Sequence, residues 1–236
     1  MRKKASLFSN ICIAIVIISL GAVIFTADLN HIFLTVSAPV FSGNRRNTNV
    51  SLMISVDGNG EIVRQMMEIL YNHSVDATFF VTGDFALRNM AIVRDMADKF
   101  EIGNHAFRNI DIRHMRESDQ RVHLLNTHEL VRNVTATEDD PGLEMTLFSP
   151  PFGSFGRATL RVAQSMRYTT VMWSRDATDS QYRNPELVYQ RATKGIENGD
   201  IVLLHPTMQT VEVLPRIIQS YLDAGLGIVR IGELIR

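Results

Sequence analysis

The chain has 236 residues, 45% of them hydrophobic, and a formal net charge of −1. That length suits one domain with a full core, and the balanced charge offers no basic face for nucleic acid. Its single cysteine, Cys12, excludes a disulfide within the chain, and no repeat of solenoid period is present.

Arg2, Lys3 and Lys4 precede an uncharged run from Ala5 to Ala27. About 20 such residues cross a bilayer, and the basic flank predicts an N-terminus held in the cytoplasm. A cleaved signal peptide is the rival reading. Phe25 spoils a cut after Ala27, and Pro39 follows Ala38, so residues 1–27 are assigned as an uncleaved anchor. The protein is then expected in the cell membrane, single-pass, with its globular part outside the cytoplasm. Residues 28–48 read as a tether and 49–236 as the folded domain.

Val50 to Val56 reads as a buried strand, and Asp57-Gly58-Asn59-Gly60 as a turn. Ile62, Met66, Ile69 and Leu70 fall at helical spacing. Ala77 to Val81 is a second apolar strand, followed by one helix with Leu87, Met90, Val93 and Met96 on its apolar face. Glu101 to Gly103 is the third strand. A helix over 117–137 carries Val122, Leu125, Leu130 and Val134, and Asp140-Pro141-Gly142 breaks it. Strands at 146–148, 169–173, 201–204 and 226–231 alternate with further helices. That alternation predicts an α/β fold with a parallel sheet, about seven strands in an incomplete (β/α) barrel. In such folds chemistry collects at the carboxyl ends of the strands, where Asp57, His105 and His205 all stand.

Several segments carry a resemblance to a known family. They are Val75-Asp76-Ala77-Thr78-Phe79-Phe80-Val81-Thr82-Gly83, Glu101-Ile102-Gly103-Asn104-His105 and Pro150-Pro151-Phe152-Gly153-Ser154. Val171-Met172-Trp173-Ser174-Arg175-Asp176 and Asp200-Ile201-Val202-Leu203-Leu204-His205-Pro206 complete the set. In that order they resemble the NodB-type polysaccharide deacetylases, from Val50 to the C-terminus. The resemblance implies a NodB-like barrel, with a divalent metal, usually zinc, held by one Asp and two His. It also implies an Asp base, a late His acid, and hydrolysis of the N-acetyl amide of cell-wall or other N-acetylated glycans, peptidoglycan among them. A bound metal lowers the pKa of its water and polarises the amide oxygen.

The motifs depart from that pattern. Where two adjacent Asp belong, a gap-free reading places Ser55 and Val56; a one-residue slip makes Asp57 the metal carboxylate and puts Val56 in the base position. Asp57-Gly58 also reads as plain turn chemistry. His105 matches the first histidine ligand, and Asn109 stands where the second belongs. A neutral amide oxygen is a poor zinc donor beside imidazole. His114 substitutes only if its loop folds back. Ser149 replaces an Arg that orients the base. Pro151, Phe152 and Gly153 match the wall of the substrate groove. Trp173 stacks on a sugar or packs in the core. His205 matches the general acid, and Asp176 is the best match for the Asp that orients it. His31, His73, His123 and His128 fit no pattern. Three readings follow: a membrane-anchored amide hydrolase with weakened or absent classical deacetylation, a non-catalytic glycan-binding or scaffold descendant in an envelope or sporulation setting, and, last, a metal-free hydrolase using His205 with Asp176.

Overall fold

A computed structural model describes residues 36–236, so the anchor assigned over 1–27 lies outside the described residues. Among those described, no helix is long and apolar enough to cross a membrane. The elements in chain order are β1 (Asn49–Val56), α1 (Gly60–Asn72), β2 (Thr78–Val81), α2 (Gly83–Arg88), α3 (Met90–Ala97), β3 (Glu101–Asn104) and α4 (Glu117–Thr135). There follow β4 (Leu147–Phe148), a 3-10 turn (Pro151–Gly153), α5 (Arg157–Ser165), β5 (Thr169–Thr170), β6 (Arg175–Asp176), α6 (Pro185–Thr193), β7 (Ile201–Leu204), α7 (Met208–Asp223), β8 (Gly227–Ile228) and α8 (Ile231–Leu234).

All strand pairs are parallel, in the order β5-β4-β3-β2-β1-β7-β6, with β8 beside the start of β1. Seven strands on one curved path form the half-barrel that the alternation of strand and helix predicts. The path does not close through β5 and β6. Chain from the region expected as a tether lies there instead: Val40 N donates to Thr170 O at 2.9 Å, and Met172 N donates to Val40 O at 2.8 Å. Gly43 N donates to Gly199 O at 2.7 Å, so the compact unit begins at Ser37 rather than at residue 49. Unpaired N–H and C=O groups on the facing edges supply the physical reason.

The two-residue alternation of side chains along a strand decides what reaches the barrel interior. Leu52, Ile54 and Val56 pack outward into the core between sheet and helices, while Met53 joins an inner cluster with Phe80, Leu147 and Leu203. Ser55 and Asp57 therefore share the inward face with Met53. Gly103 is required by the same interior: a Cβ there would lie 2.5 Å from the Phe80 ring. Glu101 closes the lower end, accepting from Thr78 Oγ1 at 2.6 Å and from the α8 backbone at Gly232 N at 3.0 Å.

Three helical expectations change. The segment after β2 forms two helices, because the Asn89 side chain donates to Phe85 O at 3.0 Å and ends the first; Leu87 and Met90 are exposed. Helix α1 buries Val63 and Met67 beside Met66 and Leu70, leaving Ile62 and Ile69 only partly covered. Helix α4 buries Gln120, Leu124, Thr127, Val131 and Val134 and exposes Val122 and Leu125. Its inward polar groups find partners in part: Gln120 Nε2 donates to Met115 O at 2.9 Å and Thr127 Oγ1 donates to His123 O at 3.1 Å, while Gln120 Oε1 is buried without one among the described residues.

Candidate active site

Strand ends β1, β3 and β7 bring Ser55, Asp57, His105 and His205 to one cavity of about 330 Å³. Asn109, Phe152, Gly153 and Trp173 also line it, as do Ser149 and Pro150, which replace the expected Pro151 at the wall. Pro151 is buried behind them as the first residue of the 3-10 turn. Asp176 and His114 are not part of the lining. His114 is exposed and receives Arg113 Nε at 3.2 Å, so its loop does not fold back as a ligand.

His105 is almost fully buried, with 4% exposure. Its Nδ1 lies 2.7 Å from Ser149 O, and a carbonyl only accepts, so Nδ1 carries the proton. Nε2 is then a bare acceptor and receives the Ser55 hydroxyl at 3.0 Å. Burial pushes the His105 pKa down to about 4, against smaller upward pulls from the Ser149 hydrogen bond and the Asp57 charge. A hydroxyl pointing at an imidazole has the outline of a nucleophile and base. A base held near 4 is a feeble proton acceptor at neutral pH, so the pair serves as a buried hydrogen bond.

Asp57 meets Asn109, whose Nδ2 donates to Asp57 Oδ2 in a short contact. The amide that stands in the place of the second histidine thus faces the carboxylate with its donor. These residues do not fit a resident metal ion. Two groups of ligand type, Asp57 and His105, reach the cavity floor, and each is engaged by a neutral neighbour; no group of three His, Cys, Asp or Glu suited to a metal exists among the described residues. Val56, which the slipped reading put in the base position, packs in the outer core and contributes nothing to the cavity.

Across the cavity, His205 is oriented by Asp179 instead of Asp176. Asp179 Oδ1 accepts from His205 Nδ1 at 2.7 Å, and Oδ2 accepts from His205 N and Thr210 Oγ1, both at 2.6 Å. Asp176 turns to its own chain and accepts from Thr178 N at 2.7 Å in an Asx-type turn, so it acts on His205 through its charge and not through a hydrogen bond. The loop after β6 therefore carries the second Asp back beneath β7. The family resemblance favoured Asp176; Asp179 follows the same strand three residues later. Burial alone pushes the His205 pKa down, but the Asp179 hydrogen bond and charge, with Asp176 and Asp57, outweigh it and leave it above the ordinary value. Asp179→Asn removes the negative charge while keeping the shape, and leaves one amide oxygen in place of two carboxylate acceptors. Its expected result is a fall in the His205 pKa, followed by the imidazole proton shifts in an NMR titration; an unmoved midpoint would contradict the assignment.

The wall is strained at its tip. Phe152 has a φ of 57° and is 68% exposed beside the cavity. Such a conformation in a bulky residue costs of order 1–3 kcal/mol and is held by its surroundings. Gly153, with a φ of 63°, packs where a Cβ would lie 2.7 Å from the Trp173 ring. Trp173 packs against the inner apolar cluster and also lines the cavity.

The family profile described as polysaccharide deacetylase matches residues 45–171. YlxY of Bacillus subtilis, described as uncharacterized, is 32% identical over 198 residues, covering 84% of this chain and 60% of that protein. The peptidoglycan-N-acetylglucosamine deacetylase PgdA of Listeria monocytogenes is 25% identical, over 85% of this chain and 41% of its own length. The chain thus spans less than two thirds of either relative. Among solved structures, a CE4 family pseudoenzyme from Bacillus anthracis superposes with a TM-score of 0.79 at 30% identity, covering 84% of this chain and 69% of its own. A mutant of that pseudoenzyme, described as having restored enzymatic activity, matches with the same TM-score at 29% identity, covering 84% of this chain and 71% of its own. The profile match runs through β1, the His105 segment and the proline wall, which build one side of the cavity, and the chain belongs to the polysaccharide deacetylase family.

Proposed function

We propose that the barrel binds an amino-sugar glycan of the cell envelope, with peptidoglycan the leading candidate, and that classical metal-dependent deacetylation is lost. The observation that carries this reading is the engagement of both ligand-type groups by neutral neighbours: Ser55 occupies His105 Nε2, and Asn109 engages one oxygen of Asp57. The Asp179–His205 pair and the aromatic wall persist, so the cleft keeps its means of gripping a sugar. The glycan class is supported by relatives named as peptidoglycan deacetylases.

The proposal places the barrel outside the cytoplasm, tethered to the membrane by the uncharged run after Arg2, Lys3 and Lys4. A sporulation or envelope role belongs to the same proposal.

The test uses the full chain with N-acetylglucosamine oligomers and purified peptidoglycan, with and without added zinc. We expect retention on peptidoglycan and no acetate release above background under either condition. Removing a positioned base alone costs about 10²–10⁴ in rate, and a missing ligand adds to that loss. Zinc-stimulated acetate release would overturn the loss of activity; failure to be retained on any glycan would overturn the binding reading.

A further inference from the structure

We infer that the cleft selects a glycan whose amino sugar is already de-N-acetylated, recognising the free ammonium group through Asp57. The inference rests on the glycan-binding reading above and names its ligand class.

Charge carries the argument. In the pattern the resemblance implies, a dication stands at the cleft floor and faces a neutral amide. The donor set here does not fit that ion. Asp57 is the sole Asp, Glu, Lys or Arg among the residues lining the cavity. Asn109 engages one of its oxygens, Oδ2, and no protein donor falls on Oδ1 among the described residues. A carboxylate has about four acceptor positions, so Asp57 retains capacity for an ammonium donor. His105 has its lone pair taken by Ser55, and His205 is paired with a buried carboxylate of its own. His105 is held neutral by burial, and the raised pKa of His205 is owed first to Asp179, with Asp57 the smallest of its upward pulls, so the carboxylate of Asp57 has no cation of its own. Arg88 approaches from outside the lining, donating to the Asp57 backbone carbonyl at 3.5 Å.

Two further features suit the same ligand. Ser149 lines the cavity with its Oγ buried and without a hydrogen-bond partner among the described residues, an acceptor that a sugar hydroxyl or ammonium would satisfy. Phe152 and Trp173 supply aromatic surface beside the carboxylate, which favours both the apolar face of a sugar and a cation. An acetyl group on the same nitrogen would remove the charge and the spare donors that Asp57 can use.

Titration calorimetry of the full chain with a β-1,4-glucosamine tetramer and with its fully N-acetylated counterpart tests this. The amine form is expected to bind about tenfold more tightly, the scale of one charge-assisted hydrogen bond. Asp57→Asn is expected to erase the difference without changing the size of the side chain. Raising the salt from low to high is expected to weaken the amine form only, which keeps the test open if that variant does not fold. Equal or tighter binding of the acetylated tetramer overturns the inference and leaves glycan binding standing. Binding of neither overturns both.

Discussion

Combining Ser55→Asp with Asn109→His is expected to create a zinc site, with affinity about 10²–10⁴ times that of the natural chain if each restored donor contributes the 10–100-fold typical of metal-site shells. The geometry supports both positions. The side chain of residue 55 lies on the inward face of β1 with its Oγ 3.0 Å from His105 Nε2, and that of residue 109 already touches Asp57. The double variant would present two carboxylates and two imidazoles around one point, a complete tetrahedral donor set. Without metal it should be less stable than the natural chain, because two carboxylates would share a half-buried rim with no cation. With zinc at 100 times its Kd the balance reverses, since ligand binding then stabilises by about 2.7 kcal/mol. Competition with a chromophoric chelator and thermal melts with and without zinc read both effects. Val56→Asp is the control: that carboxylate would enter the outer apolar core with Leu52 and Ile54, and zinc would not rescue it. Tight zinc binding by the natural chain, or no gain in the double variant, would refute the description of the site.

The barrel was legible in the sequence because β1, β2 and β7 are apolar runs of strand length separated by helices. The strand ends were legible too, since Asp57, His105 and His205 each follow such a run. What escaped was direction and pairing. Whether residue 55 or 56 enters the cleft depends on the phase of a two-residue alternation, and the all-buried run of β1 does not mark that phase. Ser55 read as a lost aspartate and emerges as the hydrogen-bond partner of His105. On α4, apolar spacing pointed to Val122 and Leu125, yet the buried stripe includes Gln120 and Thr127, whose Nε2 and Oγ1 donate to backbone carbonyls of the same region. Asp179 was passed over for Asp176 because a loop reversal, set by the Thr178 turn, moves the later residue under His205. Residues 37–43 fell within the stretch 28–48 read as a tether because the strand edges that they complete lie more than a hundred residues away in sequence.

Acid is expected to unfold the chain through His105. In the folded protein its imidazole stays neutral down to about pH 4, while in the unfolded chain it takes a proton near 6.5. Between those values the unfolded state holds one more proton, so stability rises with pH. The contribution is complete above about 6.5 and is lost as pH falls through 4. A gap of that size is worth about 3 kcal/mol, because one pKa unit corresponds to about 1.4 kcal/mol. Domains of this kind have about 5–15 kcal/mol in total, so the loss is a large share. His205 works in the opposite window: its raised pKa gives stability that is present below 6.5 and fades as pH climbs through the folded value. The shifted surface carboxylates Asp111, Asp119 and Glu144 lie in solvent and add little. Urea unfolding of the full chain at a series of pH values from 4 to 7, compared with His105→Asn, isolates the effect. The natural chain should lose about 1.4 kcal/mol per pH unit more steeply than the variant across that range. The physical cause is the burial of the ring between Ser55 and the Ser149 carbonyl, which penalises the charged form: a second proton would turn Nε2 into a donor, and the Ser55 hydroxyl would have to rotate to receive it. Parallel slopes in the two proteins would mean that His105 is solvated, and with that the closed, self-capped cleft floor would be lost as an account of the site.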